Sequence, residues 1–273
     1  MVNYRLSQQH LNLLTNCPRK FQYLYLHNLG VPITSAEQER LNWGSQFHLL
    51  MQQKELGLPI ESLILENQEM LLCFNNFSQA ASEILSSETQ DDIILRQAEH
   101  HRSFNFKGYI LTAIYDLLIA KNKQAQIFDW KTYRYPKNQE KLAQNWQTRL
   151  YLYLLVETSK YLPEAVSMTY WFIQPKSEKL PYKLTFSYNQ QAHKKTEQDL
   201  QKILDNLTDW LKNYQEKGLE FPQVQILDTC YTCQFSSPCQ GFSEVYNREG
   251  EGVSTDISAD LIFSLDNIPE IVI

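Results

Sequence analysis

The order of periodic segments predicts an α/β domain built on a mixed β-sheet flanked by helices. Three observations carry it: helical periods at both ends of the chain, three consecutive strand-like runs between residues 93 and 132, and a helix followed by two further strand-like runs. A chain of 273 residues can bury a substantial core in one large domain, or in one domain with helical additions. No internal repeat is visible.

From the N-terminus, Ser7 can cap a helix that carries Leu11 and Leu14 and ends at Cys17-Pro18. Proline lacks the amide donor and biases the residue before it away from helical backbone, so Cys17 is presented at a break. A second helix over residues 19–28 packs through Phe21, Leu24 and Tyr25. Ser35 with Gln38 fits a capping box, and the helix it opens runs to Leu56 and stops at Gly57. Along it Leu41, Gly44, His48 and Met51 recur at spacings of three, four and three, which is one helical face, so His48 points inward. A lone inward histidine is more often a satisfied core residue than a ligand. Residues 59–90 continue as a helical insertion without motifs, and residues 93–106 read as a strand that carries Glu99. Gly108 marks the turn into the next strand.

The hairpin from Tyr109 to Thr132 holds Asp116, Asp129 and Lys131. Two β-rich runs flank the polar stretch 121–124, so the chain turns at Asn122 and Lys123 and pairs residue 121 with 124. Counting outward, Asp116 falls opposite Asp129. Residues so placed have Cβ atoms about 5 Å apart, and like charges there repel. The period of two adds Lys131 to the face of Asp129. The setting, Ile127-Phe128-Asp129-Trp130-Lys131, leaves few other polar groups to share the charge. A hard divalent cation takes oxygen ligands and would satisfy the carboxylates. A salt-bridged triad on a solvated face is the alternative.

A loop, 133–138, contains Pro136. A helix over 139–160 then sets Gln147 and Tyr151 one turn apart beside Trp146 and Arg149, where a packed aromatic and a solvated amide are the plain alternative. Strands at 166–174 and 180–187 surround Pro175 and Pro181, and an amphipathic helix over 190–217 is closed by Gly218.

Of five cysteines, three stand as Cys230-x2-Cys233-x5-Cys239, a spacing that points to metal rather than to disulfides in a cytosolic protein. Three local thiolates need a fourth ligand, and Cys17 is the available candidate. A centre joining residues 17 and 230–239 would act as a clasp closing a long loop. Zinc and a four-iron cluster both accept four thiolates, so spacing leaves the two open. Cys73, in the apolar run 70–77, reads as a buried free thiol.

The formal charge is −6, from 31 acidic and 25 basic residues. Seven of those acids and one arginine lie in residues 244–273, so the body is neutral. That excludes a strongly basic, non-specific nucleic-acid binder but leaves room for a local basic groove. The N-terminal MVNYRLSQQH lacks a basic region followed by an apolar core, and no run of about 18 apolar residues occurs, so a soluble cytoplasmic protein without a membrane partner is expected.

Taken in order, Ser7 to Phe21 ending in Cys17-Pro18-Arg19-Lys20-Phe21, Gly44-x3-His48, Asp116, Asp129-Trp130-Lys131, Gln147-x3-Tyr151 and Cys230-x2-Cys233-x5-Cys239 resemble a known family. It is the RecB-type nucleases of the restriction-endonuclease-like, PD-(D/E)XK superfamily that carry an iron–sulfur clasp. The pattern is similar to the AddB nuclease domain and to the iron–sulfur nuclease of CRISPR adaptation, and it covers residues 5–242. The resemblance implies a restriction-endonuclease-like sheet with N-terminal helical additions, forming one nuclease domain over residues 1–243, followed by the acidic tail 244–273. It implies that His48, Asp116 and Asp129, with the backbone carbonyl of Trp130, hold magnesium or manganese. Lys131 would orient or help deprotonate the attacking water, and Gln147 and Tyr151 would complete the site. Cys17, Cys230, Cys233 and Cys239 would bind a structural four-iron, four-sulfur cluster, with zinc as the alternative. Glu99 matches the family's upstream strand acid in position, and Ala113 stands where the family often has glycine.

The expected activity is a metal-dependent DNA nuclease, acting on single strands or ends and more as an exonuclease than an endonuclease, in DNA repair, recombination or CRISPR adaptation. No helicase motor is present, so unwinding would need a helicase partner, and a CRISPR-adaptation protein is the other expected partner. The rival expectation is a catalytically inactive iron–sulfur subunit that binds DNA or scaffolds a nuclease–helicase complex.

Overall fold

Apolar alternation across residues 93–131 folds as two consecutive hairpins. A computed structural model describes residues 4–30, 32–64, 67–85, 92–133, 135, 138–175, 180–224, 230, 233–236 and 239. Strand β2 (Ile93–Phe106) turns into β3 (Tyr109–Lys121) through Lys107 and Gly108, whose φ angles of 52° and 83° suit the tight two-residue turn that matches strand twist. β4 (Ala125–Lys131) returns along β3 in the register read from the sequence, from Ala120 opposite Ala125 to Leu117 opposite Phe128. The Lys121 N–H donates to the Gln124 carbonyl at 2.8 Å and closes that turn.

β5 (Val166–Phe172) runs parallel to β4, and β6 (Tyr182–Ser187) antiparallel to β5. A strand absent from the sequence reading, β1 (Arg5–Leu6), pairs parallel with Ile110 and Leu111 of β3. Two residues are too short to show a period. The sheet order is β1-β3-β4-β5-β6, with β2 also on β3. Because β2 follows nearly the whole of β3, β1 and β4 share its other edge, and the stretch of β3 from Thr112 to Asp116 lies in the gap between them.

The expected break at Cys17 is present. Helix α1 (Gln8–Asn16) ends before Cys17, whose backbone is extended, and α2 (Pro18–Phe21) restarts with proline in its first turn and continues as a π-helical turn over Gln22–Leu26. Helix α3 (Ser35–Glu55) is capped one residue earlier than expected. Thr34, not Ser35, is the N-cap, and Glu37, not Gln38, completes the box, because a carboxylate at that position also suits the positive end of the helix. The insertion resolves into α4 (Glu61–Ile64), α5 (Gln68–Ala80) and α6 (Ser82–Leu85). The single helix expected over 139–160 is two, α7 (Gln139–Gln144) and α8 (Trp146–Glu157), broken at Asn145. α9 (Gln190–Lys217) ends at Gly218, with φ of 66°, as expected.

The chain divides into two compact units. The first, Met1–Gln8 with Thr34–Leu200, contains the sheet. One face of the sheet packs on α3 and α5, where Phe47, Leu50, Phe77, Leu117, Phe128, Trp130 and Trp171 share a buried cluster. Cys73 belongs to that cluster, buried and outside any disulfide, its thiol donating to the Gln174 carbonyl at 3.6 Å. The other face meets α8, where the Tyr115 hydroxyl donates to the Tyr151 carbonyl at 2.9 Å and the hydroxyls of Thr148 and Tyr170 pair at 2.8 Å.

The second unit is Gln9–Ile33 with Gln201–Ile273. Within it Arg19 fastens the early helices to the segment after α9: its backbone N–H donates to the Pro222 carbonyl (3.0 Å), its Nε to the Phe221 carbonyl (2.7 Å), and its guanidinium pairs with Glu220. The acidic tail 244–273 lies outside the described residues. Among the described residues no helix is long and apolar enough to cross a membrane.

Candidate active site

The site forms where β3 changes the face it buries. Tyr115 meets α8, yet Leu117, two residues on, belongs to the cluster with α3 and α5. Strict alternation would put both on one side. Asp116 sits at this phase change, just past the last recorded β3–β4 pair, and its side chain turns into the opening between the strands. There its Oδ2 accepts the Trp130 N–H at 2.6 Å. The carboxylate thus takes the place a strand carbonyl would occupy. On the neighbouring strand Glu99 lies level with Asp116, between the pairs Ala98–Leu117 and His100–Tyr115, and its φ is 46°. A left-handed glutamate inside a strand is a strained conformation.

That strain brings three donors together. One ligand atom each from His48, Glu99 and Asp116 lies within 4.8 Å of the others, and His48 Nδ1 is 3.3 Å from Asp116 Oδ1. His48 reaches the acids from α3, whose approach depends on Gly44, one turn earlier. A Cβ at Gly44 would stand 2.9 Å from Thr132 Oγ1, just beyond β4.

From the α8 face come the remaining groups. Asp129 and Lys131 are buried, 2% and 8% exposed, and Lys131 Nζ is 2.6 Å from Asp129 Oδ1. This buried ion pair holds the Asp129 charge against the Lys131 ammonium. Gln147 bridges the pair: its Nε2 donates to Asp129 Oδ2 (2.7 Å) and its Oε1 accepts from Lys131 Nζ (2.8 Å). The helix break at Asn145 sets that position, because Asn145 Oδ1 caps α8 by accepting the Gln147 N–H at 2.8 Å. Lys131 also lies over the Tyr170 ring, 5.4 Å from its centre.

The electrostatics are those of an anionic, partly dry cleft. Burial pushes Glu99 up to about 7, and the charges of Asp116 and Asp129 push the same way against His48. For His48 burial works downward, but Asp116, by charge and hydrogen bond, prevails and raises it to about 9. Burial raises Asp129 too, against the pull of Lys131. Such perturbed groups in one cleft mark functional sites.

Of the expected site residues, the structure brings His48, Glu99, Asp116, Asp129, Lys131 and Gln147 together. The Trp130 N–H donates to Asp116 Oδ2, and the Trp130 carbonyl lies on the same strand, β4. Tyr151 is buried, its ring 5.2 Å from that of Tyr115. Sequence reasoning passed over Tyr133, whose buried hydroxyl has no hydrogen-bond partner among the described residues. Its position two residues after Lys131, in step with Asp129, was the available signal.

The profile of the PD-(D/E)XK nuclease superfamily matches residues 5–240. The chain belongs to the PD-(D/E)XK nuclease superfamily. No curated protein matches its sequence. Among solved structures it is similar to a "putative exonuclease" from Eubacterium rectale, at 11% identity and a TM-score of 0.53 over 92% of this chain and 91% of that one. A second, SSO0001, has 14% identity and a TM-score of 0.39, covering 86% of each chain. At 11% identity the first likeness shows the fold alone. The PD-(D/E)XK nuclease described here thus carries its mixed sheet, flanking helices and acidic cluster in one unit.

In the second unit, Cys17, Cys230, Cys233 and Cys239 are not joined in disulfides. Burial raises the Cys239 thiol, a hydrogen bond with Tyr23 opposes this, and Cys17 and Cys233 lie near enough to raise it further. Cys233 and Cys239 are held in tight turns, their N–H groups donating to the carbonyls of Cys230 and Phe235 at 3.1 Å each.

Proposed function

We propose that the protein is a magnesium- or manganese-dependent deoxyribonuclease that works on single strands or DNA ends, as an exonuclease rather than an endonuclease. The observation that carries this reading is the convergence of His48, Glu99 and Asp116 beside the Asp129–Lys131–Gln147 chain. Superfamily membership supports nuclease chemistry, and the structural likeness to a protein described as an exonuclease favours cutting from ends.

The donor set fits a hard divalent ion, because carboxylates dominate it and one ligand atom each from His48, Glu99 and Asp116 converges within 4.8 Å. His48, Asp116 and Asp129, with the Trp130 carbonyl, would hold the ion, and Glu99 would be an added acidic donor. When bound, the ion polarises the phosphate and lowers the pKa of the attacking water. Lys131 would orient that water by donating a hydrogen bond to it, with Gln147 fixing the ammonium against Asp129. Tyr151 completes the site from α8. No covalent protein intermediate is required. In the second unit Cys17, Cys230, Cys233 and Cys239 would hold a four-iron, four-sulfur cluster as a structural clasp, with zinc the rival. DNA repair, recombination or CRISPR adaptation is the setting this reading favours, beside a helicase or an adaptation protein.

The test is cleavage of end-labelled single- and double-stranded DNA by anaerobically purified protein with each metal. Asp116→Ala and Lys131→Ala should each lose about 10²-fold or more in rate, since several kcal/mol of charge stabilisation depend on them. Variants that cut as well as the parent would overturn the assignment. A parent that binds DNA but never cuts it would instead support the inactive scaffolding subunit.

A further inference from the structure

We propose that Tyr133 is a substrate-binding residue of this site, its hydroxyl donating a hydrogen bond to a non-bridging oxygen of the DNA phosphate being cut. The proposal rests on the nuclease reading above and deepens it.

Three observations place Tyr133 there. The first is position: Tyr133 follows the end of β4 by two residues, and its hydroxyl lies near enough to Asp129 to feel that charge. The second is packing. The Tyr133 ring meets Phe172 edge to face with centres 5.9 Å apart, Phe172 is the β5 partner of Lys131, and Phe172 in turn neighbours Tyr170, over which the Lys131 ammonium lies. Tyr133 therefore stands in the same aromatic wall that flanks the Lys131 ammonium. The third is the hydroxyl itself, which is buried and has no hydrogen-bond partner among the described residues.

A buried phenol with an unused donor costs stability of about 1–3 kcal/mol, and such orphans call for an explanation. A tyrosine kept only for its ring could be phenylalanine at no loss here. The edge-to-face contact with Phe172 holds the ring in place before any ligand arrives. What it can recognise follows from its surroundings. Burial and the charge of Asp129 keep the phenol protonated, so it offers a hydrogen and no charge. Beside the Lys131 ammonium, the group that accepts such a hydrogen is an anionic oxygen. In a phosphodiester the two non-bridging oxygens are those acceptors, and a donor preorganised towards them strengthens as charge develops in the transition state.

Tyr133→Phe keeps the ring on Phe172 and removes only the hydroxyl. Two readouts decide. In chelator, where cleavage stops, the affinity for a short fluorescent single-stranded DNA should fall about five-fold, the effect of one hydrogen bond near 1 kcal/mol. In magnesium or manganese, kcat should fall by about 10²-fold with KM changed much less, the loss typical of one preorganised donor. Thermal stability should equal or exceed the parent's, which a structural role for the hydroxyl would not allow. Parent-like binding and rate in Tyr133→Phe, with an active parent, overturn the proposal alone. A parent inactive with both metals overturns the nuclease reading, and the binding arm still tests Tyr133.

Discussion

Side chain by side chain, the site pairs Asp116 with His48 and Asp129 with Lys131, and leaves Glu99 as the acid without a cation of its own. His48 and Glu99 make this measurable. His48 titrates near 9 in the folded protein against an ordinary 6.5, so the stability it contributes is complete below pH 6.5 and is lost as pH rises towards 9. Glu99 is a carboxyl raised to about 7, so the folded state retains a proton that the unfolded state has already released, and stability falls as pH rises from 4.5 towards 7. Both signs agree. The melting temperature of chelated protein should fall steadily from pH 5 to pH 9, and magnesium or manganese should restore more of it at the upper end, because a histidine ligand must be neutral. His48→Ala should flatten the upper part of the profile. A melting curve indifferent to pH, with and without metal, would dissociate these residues from one another. At this scale the sequence was partly legible. Asp116, Asp129 and Lys131 could be aligned by counting from the Asn122-Lys123 turn, and the register holds. The inward tilt of Glu99 could not, since nothing local announces a left-handed glutamate.

Elements carry the site by their interruptions more than by their regularity. β3 switches faces at Asp116, β4 leaves the ladder beside it, and the α7–α8 break at Asn145 aims Gln147. Period-based reading assumes continuity, which is why it joined α7 to α8 and assigned Asp116 simply to the face of Asp129. Caps are legible but compete: Thr34-Ser35-Ala36-Glu37 and Ser35-Ala36-Glu37-Gln38 both fit a box, and only the helix start separates them. The contact between α3 and the end of β4 yields a sharper test. Gly44→Ala forces a methyl against Thr132 Oγ1, and overpacking of this kind costs about 1–3 kcal/mol. Because His48 rides on the same helix one turn further, DNA cleavage should fall with stability. Thr132→Ala removes the clashing oxygen and should recover both in the double variant. Additive losses in the Gly44→Ala, Thr132→Ala cycle would show that the two residues do not press on each other.

At the scale of the whole molecule, cysteines far apart in the chain come into one unit. Cys17 precedes the whole first-unit segment Thr34–Leu200, and Cys230, Cys233 and Cys239 follow it. The sequence made this arrangement legible through the Cys-x2-Cys-x5-Cys spacing and the proline break, since local chemistry dictates both. It left the identity of the centre open because thiolates serve zinc and iron alike. If a cluster occupies the four thiolates, it closes a loop of more than two hundred residues. By analogy with a disulfide closing so long a loop, its loss costs on the order of 4 kcal/mol or more. Anaerobically prepared protein should then be brown, contain iron and bleach in air, and its melting temperature should drop on bleaching. Cys239→Ser should lack the colour and melt at a similarly lowered temperature, while Cys73→Ser should keep the colour, because Cys73 sits in the apolar cluster of the first unit. Colourless protein with stoichiometric zinc would replace the cluster by a zinc staple. An equally stable, metal-free Cys239→Ser variant would remove the clasp altogether.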